Sequence, residues 1–316
     1  MPQPSAPTRR ITVVGDALID ELRDQYGSRE FVGGAALNVA VGLAVLGETV
    51  TLVAMVGADE PADRIRAYLT DYGVRLVESP SAYGTSRAIS DRADGEPRYT
   101  FNEAAKRRAI RFDEATRRAL DEADLVVVSC FPFDNGDQYA QLVDAIARPA
   151  QRVIVDGNPR AGMLADRERF LDNLEDFASR ALLAKVGDED ADLLLGDSLE
   201  AFVERLRTGR PGGSAAGAVL ATAGRAGATL YHDDRPVHAP IVPLPGPVID
   251  TMGAGDATLA AMVRRIAVDG IPTSGAAWAH ALQESMEIAA ATVRHEGALL
   301  RVPPADEGER EGESTS

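Results

Sequence analysis

The run Val248-Ile249-Asp250-Thr251-Met252-Gly253-Ala254-Gly255-Asp256-Ala257 joins a loop of very small residues to a carboxylate at the start of a helix. Leu259, Met262, Val263 and Ile266 follow at helical spacing, so the loop opens directly into an amphipathic helix. The first turn of such a helix has N–H groups without intrahelical acceptors and a partial positive charge, which suits an oxygen anion. Asp256 falls in that same turn. A carboxylate beside an anion hole is what phosphoryl transfer needs: one accepts the proton of the attacking hydroxyl, the other holds the migrating phosphoryl oxygens. The plainer reading, an Asp that merely caps its helix, applies to any single Gly-Asp pair.

Other residues could complete such a site. Gly33-Gly34 precedes a helix carrying Asn38, and the amide of Asn38 offers both a donor and an acceptor, as a polyol requires. Gly15-Asp16 ends the first apolar run, with Asp20 shortly after as a lesser candidate. Asp156-Gly157-Asn158-Pro159-Arg160 ends another run, and Asn158 and Arg160 could face substrate or phosphate. Thr222-Ala223-Gly224-Arg225-Ala226-Gly227 is a loop small enough for its backbone to approach phosphates or ribose. Each has an ordinary alternative as a turn or helix cap.

The elements that must position these residues alternate. Arg10–Val14, Thr49–Val56, Leu125–Ser129, Val153–Val155, Ala181–Val186 and Ala216–Ala221 read as buried strands. Helices are expected over Gly34–Leu46, Arg117–Glu122, Gln138–Ala147, Gly255–Ala267 and Gly275–Val293. Strands alternating with helices predict an α/β fold with a mainly parallel sheet covered on both faces. Ligands then bind beyond the carboxyl ends of the strands, where Asp16, Asp156 and Thr222 fall. Two β-like runs, Thr85–Ser90 and Arg98–Asn102, are joined by a turn sequence and predict a hairpin. With residues 18–32 it would make a small β lid over the main domain. The core is expected to span 10–303 with its lid from about 18–32 and 84–102, between a polar tail at 1–9 and an acidic tail at 304–316.

Composition narrows the function. A net charge of −16 argues against nucleic acid as a partner. A single cysteine, Cys130, excludes an intrachain disulfide or a cysteine-built metal site. There is no apolar run of membrane-spanning length and no signal-peptide core at the N-terminus, so a cytoplasmic protein with no membrane partner is expected. The only lysines, Lys106 and Lys185, follow alanines, which removes the P-loop pattern. No GxGxxG follows the first strand, and none of the four histidines belongs to HExxH.

Taken together, the DTMGAGDA run resembles the C-terminal signature of the ribokinase-like, PfkB-type carbohydrate kinases. The GGAALNVA run, Gly33 to Ala40, resembles their N-terminal signature. The resemblance covers about residues 10–300 and implies a three-layer α/β/α domain with a β-strand lid. It implies Asp256 as the catalytic base, with an anion hole from Gly253, Ala254, Gly255 and Asp256. Asp16, Gly33, Gly34, Asn38, Asn158 and Arg160 would bind the sugar, and Lys185, Thr222, Gly224, Gly227, Gly253 and Gly255 the ATP. Mg²⁺ would act through water near Asp190, and a monovalent cation such as K⁺ near Asp250, Thr251 and Gly297. There are departures. Thr258 stands where the family usually has Phe, and Gly187 and Asp190 replace the Asn and Glu of NxxE. Fructokinase-type members are the most similar. Ribokinase, 2-keto-3-deoxygluconate kinase and nucleoside kinase remain alternatives, as does a catalytically weak sugar-sensing protein on the same scaffold. The exposed edge of the lid leaves a homodimer open.

Overall fold

A computed structural model describes residues 9–91, 98–146, 152–209, 214–233 and 235–303. The two expected tails, 1–9 and 304–316, lie outside them, apart from Arg9. The strands are β1 Arg10–Gly15, β2 Leu18–Asp24, β3 Gly27–Gly33, β4 Thr49–Val56, β5 Arg75–Pro80, β6 Arg87–Asp91, β7 Arg98–Phe101, β8 Leu125–Ser129, β9 Arg152–Asp156, β10 Leu183–Gly187, β11 Val219–Thr222, β12 Ala228–Tyr231 and β13 Val237–Ala239. The α-helices are α1 Ala35–Val45, α2 Glu60–Asp71, α3 Glu103–Lys106, α4 Glu114–Asp121, α5 Gly136–Ala145, α6 Arg167–Ala178, α7 Asp188–Leu195, α8 Leu199–Thr208, α9 Ala254–Asp269 and α10 Gly275–Thr292.

Every residue of β8 is buried, and all but the first residue of β1 and of β9. Such continuous apolar runs are required of strands covered on both faces. They form the middle of a nine-stranded sheet in the order β13-β12-β11-β10-β9-β8-β1-β4-β5. It is parallel from β5 to β11, and β12 and β13 add an antiparallel edge.

Neighbouring residues on a strand face opposite ways, so Val13 and Val14 enter different cores. Val13 joins residues of α1, α2, α9 and α10, while Val14 joins residues of α4 to α8. The three-layer α/β/α expectation is met. From β1 the chain passes through β4 to β5 at one edge, then returns to β8 beside β1 and continues the other way. The crevice at this reversal, beyond the strand ends, is where open α/β sheets bind ligands.

The second sheet, β3-β2-β6-β7, is the lid. β6 and β7 pair antiparallel as the hairpin reading requires, and β2–β3 supplies the other half. The turn residues 92–97 lie outside the described residues. Among the described residues, no helix is long and apolar enough to cross a membrane.

Candidate active site

Helix starts divide the molecule. The N-cap side chains of Asp59, Asn102, Asp113, Asn135, Asp166, Ser198 and Ser274 each accept a backbone N–H. Among the described residues, the helices whose N-cap is glycine are α1, α7 and α9, and all begin at the carboxyl end of the sheet. α1 is capped from outside by Asp16, whose Oδ1 accepts the Ala36 N–H at 2.9 Å. In α7, Asp190 Oδ2 accepts the Gly187 N–H at 2.8 Å. α9 has no such cap: among the described residues the amides of Gly253, Gly255 and Asp256 have no protein acceptor. Gly253 is needed for this shape. Its φ is 77°, and a Cβ there would lie 2.6 Å from the Ala298 Cβ.

Asp256 is not the cap of its helix, which disposes of the plainer reading. It is the third residue of the helix, within its first turn, and is 8% exposed, and its Oδ2 accepts a hydrogen bond from Asn38 Nδ2 at 2.8 Å. Burial pushes its pKa up to about 6, and the negative charge of Asp156 adds to this. The Asn38 hydrogen bond and the charges of Lys185 and Arg160 act the other way. A carboxylate with a pKa near the working pH is well placed to take up a proton during turnover.

Beneath the α9 start lies Lys185. Its Nζ donates to Asp156 Oδ2 at 2.8 Å, and a Cβ on Gly255 would lie 3.4 Å from the same Nζ. Burial favours loss of its proton, but Asp156 and then Asp190 more than offset this and hold the pKa above its ordinary value. A full positive charge therefore sits directly behind the unpaired amides. Asp156 is wholly buried, and among the described residues its Oδ1 has no hydrogen-bond partner.

At the other end, Asp16 is buried, with Oδ1 committed to Ala36, and the Cys130 thiol lies against its carboxylate. Burial raises its pKa. Asp20, the lesser candidate from sequence, is the more available group. No hydrogen bond to its carboxylate occurs among the described residues, and its Oδ2 lies where a Cβ on Gly33 would come within 2.1 Å. Burial, then the charge of Asp16, push its pKa up to about 7. Gly34 takes φ 110° and packs on the Asp16 backbone, so Gly33, Gly34, Asn38, Asp16 and Asp20 are gathered in one place.

At the loop expected to hold the nucleotide, the Thr222 hydroxyl donates to the Val186 carbonyl at 3.3 Å. The loop after it closes through Ala223 N–H to the Gly227 carbonyl, with Gly224 exposed at φ 46°. Asn158 is buried with φ 40°, while Arg160 is exposed and feels the charges of Asp256, Asp190 and Asp16. Burial raises Asp190 to about 6, and Asp156 adds to this. Asp250 accepts N–H groups from Met252 (3.0 Å) and Gly297 (3.2 Å), which ties the loop carrying Thr251 to the segment after α10.

Sequence reasoning passed over Lys185's closeness to Gly255, the burial of Asp156, and Arg108 with Cys130. Asp156 was visible as the first residue of its strand-end turn. Arg108, in a run of three basic residues, carries no signal that separates it from a solvated surface.

The chain matches the family model described as pfkB family carbohydrate kinase over residues 8–304. It belongs to that family and is a sugar phosphotransferase with the ribokinase-like fold. Among curated proteins it is 28% identical to a fructokinase of Klebsiella pneumoniae, over 95% of this chain and 98% of that one. It is also 28% identical to a fructokinase of Rhizobium leguminosarum bv. trifolii, over 83% and 81%. Among solved structures, the fructokinase of Xylella fastidiosa with bound ATP superposes with a TM-score of 0.75 at 23% identity, covering 92% of this chain and 94% of that one. A double mutant of the Vibrio cholerae O395 fructokinase, bound to fructose, ADP and potassium ion, gives 0.76 at 21%, covering 93% and 95%.

Proposed function

We propose that this kinase transfers the γ-phosphoryl group of ATP to a hydroxymethyl group of a ketohexose-type acceptor, as fructokinases do. The observation that carries this reading is the start of α9, where unpaired amides, the Lys185 cation behind them and the ionisable Asp256 converge. The acceptor hydroxyl oxygen attacks the γ-phosphorus while its proton passes to Asp256. The bond from that phosphorus to the β-bridging oxygen breaks, and ADP leaves. The amides of Gly253, Gly255 and Asp256 receive the charge that builds on the phosphoryl oxygens. Ala254 shapes the loop, its own N–H being turned to the Thr251 carbonyl at 3.3 Å.

Gly33, Gly34, Asn38, Asp16 and Asp20 bind the sugar hydroxyls, with Asn158 and Arg160 closing the site. Thr222, Gly224 and Gly227 bind the nucleotide together with Lys185. ATP enters as its Mg²⁺ complex. Asp190 already accepts the Gly187 N–H and fits a role as acceptor for metal-bound water better than direct ligation. Asp250, Thr251 and Gly297, brought together by the Gly297 N–H bond to Asp250, fit a K⁺ site that would brace the loop. A relative named as holding ADP and potassium ion supports this. The exposed outer part of β3 makes a homodimer through the lid the expected assembly, and dependence on ATP supports a cytoplasmic setting.

The test is a phosphorylation screen of sugars, sugar acids and nucleosides with ATP and Mg²⁺. Turnover of fructose supports the reading. Turnover of ribose or a nucleoside alone replaces the acceptor. Saturable sugar binding without ADP release would mean a sensor on a kinase scaffold.

A further inference from the structure

The amino end of the central sheet holds a second cavity, at the opposite end of the strands from Asp256. Its volume is about 250 Å³, and it lies against the starts of three adjacent strands. Arg9 just before β1, Leu125 at the start of β8 and Arg152 at the start of β9 line it, with Asp124 beside them. Ile266 and Ala267 of α9 form the facing wall. Leu125, Ile266 and Ala267 are all buried, so core elements shape this cavity and hold it rigid.

Arg152 stands where the strand pattern calls for an apolar residue. Ile11, Leu125 and Arg152 are paired in register, and Ile11 and Leu125 face the core under α1 and α9. Arg152 therefore faces the same side, and Arg9, two residues before Ile11, joins it there against the last turn of α9. Among the described residues neither guanidinium has a hydrogen bond or a carboxylate within 4.0 Å. This is not for want of acids, which outnumber the basic residues 49 to 33. The nearby carboxylates are engaged by the backbone instead: Asp124 Oδ2 accepts the Arg10 N–H at 2.8 Å, and Glu48 accepts that of Arg9. The two arginines come from either side of β8, so their backbones are roughly 10 Å apart, two strand spacings. That gap admits a small anion between two cations that otherwise repel each other.

We propose that this cavity is a binding site for a sugar phosphate, separate from the active site. A phosphate monoester brings nearly two negative charges and three acceptor oxygens, enough to engage both guanidinium forks. A single carboxylate would neutralise only one of them. Asp124 Oδ1, which makes no hydrogen bond among the described residues, can accept from a ligand hydroxyl and would repel a further acid group. That favours a hydroxylated phosphate over a di- or tricarboxylate. The cavity is smaller than the roughly 300–1,000 Å³ of pockets for drug-sized ligands, which suits a small metabolite. The inference goes beyond the kinase reading and does not depend on which sugar is the acceptor.

The experiment is calorimetric titration of the full chain with fructose 6-phosphate, inorganic phosphate, malonate and fructose, the nucleotide site being filled by a non-hydrolysable ATP analogue. The wild type is compared with Arg9→Gln, Arg152→Gln and the double variant. Fructose 6-phosphate should bind the wild type, each single variant should weaken it by about tenfold, the scale of one charge-assisted contact, and the double variant should abolish it. Inorganic phosphate should bind more weakly, because it leaves Asp124 without a hydroxyl. Should the double variant fail to fold, the two single variants carry the test. A sugar phosphate that does not bind, that binds the variants as well as the wild type, or that binds no better than inorganic phosphate or malonate overturns the proposal. Absence of ATP-dependent turnover with every sugar would remove the kinase reading and leave this result standing.

Discussion

Asn38 on α1 donates to Asp256 on α9 at 2.8 Å, across 218 residues of sequence. The bond joins the two signature segments of the chain and holds the carboxylate beside the α9 amides, where the proposed acceptor hydroxyl would approach. It also favours the charged form of Asp256, whose pKa stands at about 6. In the free enzyme kcat/KM should therefore fall below about pH 6, as the base becomes protonated. Asn38→Ala removes the hydrogen bond that opposes protonation, so the acid limb should move to higher pH. A pH profile of the two proteins checks this: an unmoved limb would separate Asp256 from the observed ionisation.

Asp16→Ala should raise the KM for the sugar and barely change ATP affinity. Initial-rate kinetics with each substrate varied in turn gives the answer, and a loss on the ATP side would reverse the proposed orientation of the site.

Much of this architecture was legible in the chain. The runs at β1, β8 and β9 are so fully apolar that only a sheet covered on both faces could take them, and the strand-end acids follow from their position. The lid was legible because its hairpin breaks the α/β alternation. The antiparallel edge, β12 and β13, was not singled out: its strands are short, and Ala228–Tyr231 buries only alternate residues. α6 to α8 were passed over as elements for a related reason, their apolar residues being interspersed with charged ones. Within the site, spacing singled out Asp256 and Asn38, but it put Asp16 ahead of Asp20, whereas the structure leaves Asp20 the freer carboxylate. That ranking depends on which carboxylate a helix amide occupies, a three-dimensional fact. Arg108 was illegible because burial is a property of what packs on it.

Lys185→Met should cost stability and activity for separable reasons. It strands the fully buried Asp156 carboxylate, a loss on the order of 3–5 kcal/mol for a broken buried pair. The double variant Lys185→Met, Asp156→Asn removes the stranded charge, so denaturant unfolding should show much of the stability regained. ATP turnover should remain low, because the cation behind the Gly255 amide is still missing. Recovery of both together would reduce Lys185 to a structural role.

Two glycines should respond oppositely to a side chain. At Gly253 a Cβ meets the Ala298 backbone and side chain within 3.0 Å and φ is positive, so Gly253→Ala should lower both Tm and kcat. At Gly187 the nearest atoms to a Cβ are Asp190 Oδ2 at 3.5 Å and Thr222 Oγ1 at 3.6 Å, an ordinary contact. Gly187→Asn should fold with its Tm little changed. Thermal unfolding of the pair checks the contrast.

The most direct measurement is steady-state turnover of Asp256→Asn, made beside its unfolding at neutral pH. Asparagine keeps an oxygen for Asn38 but cannot take a proton, so kcat should drop by about 10²–10⁴ or more. Stability should move the other way. Because the folded pKa of Asp256 is raised, its favourable contribution is complete below the unfolded value of 3.8 and is lost as pH rises through about 6. At pH 7 the variant should therefore be at least as stable as the wild type. A sharp loss of turnover in a protein of equal or higher Tm is the predicted result; near-normal turnover would contradict the assignment of Asp256 as the base.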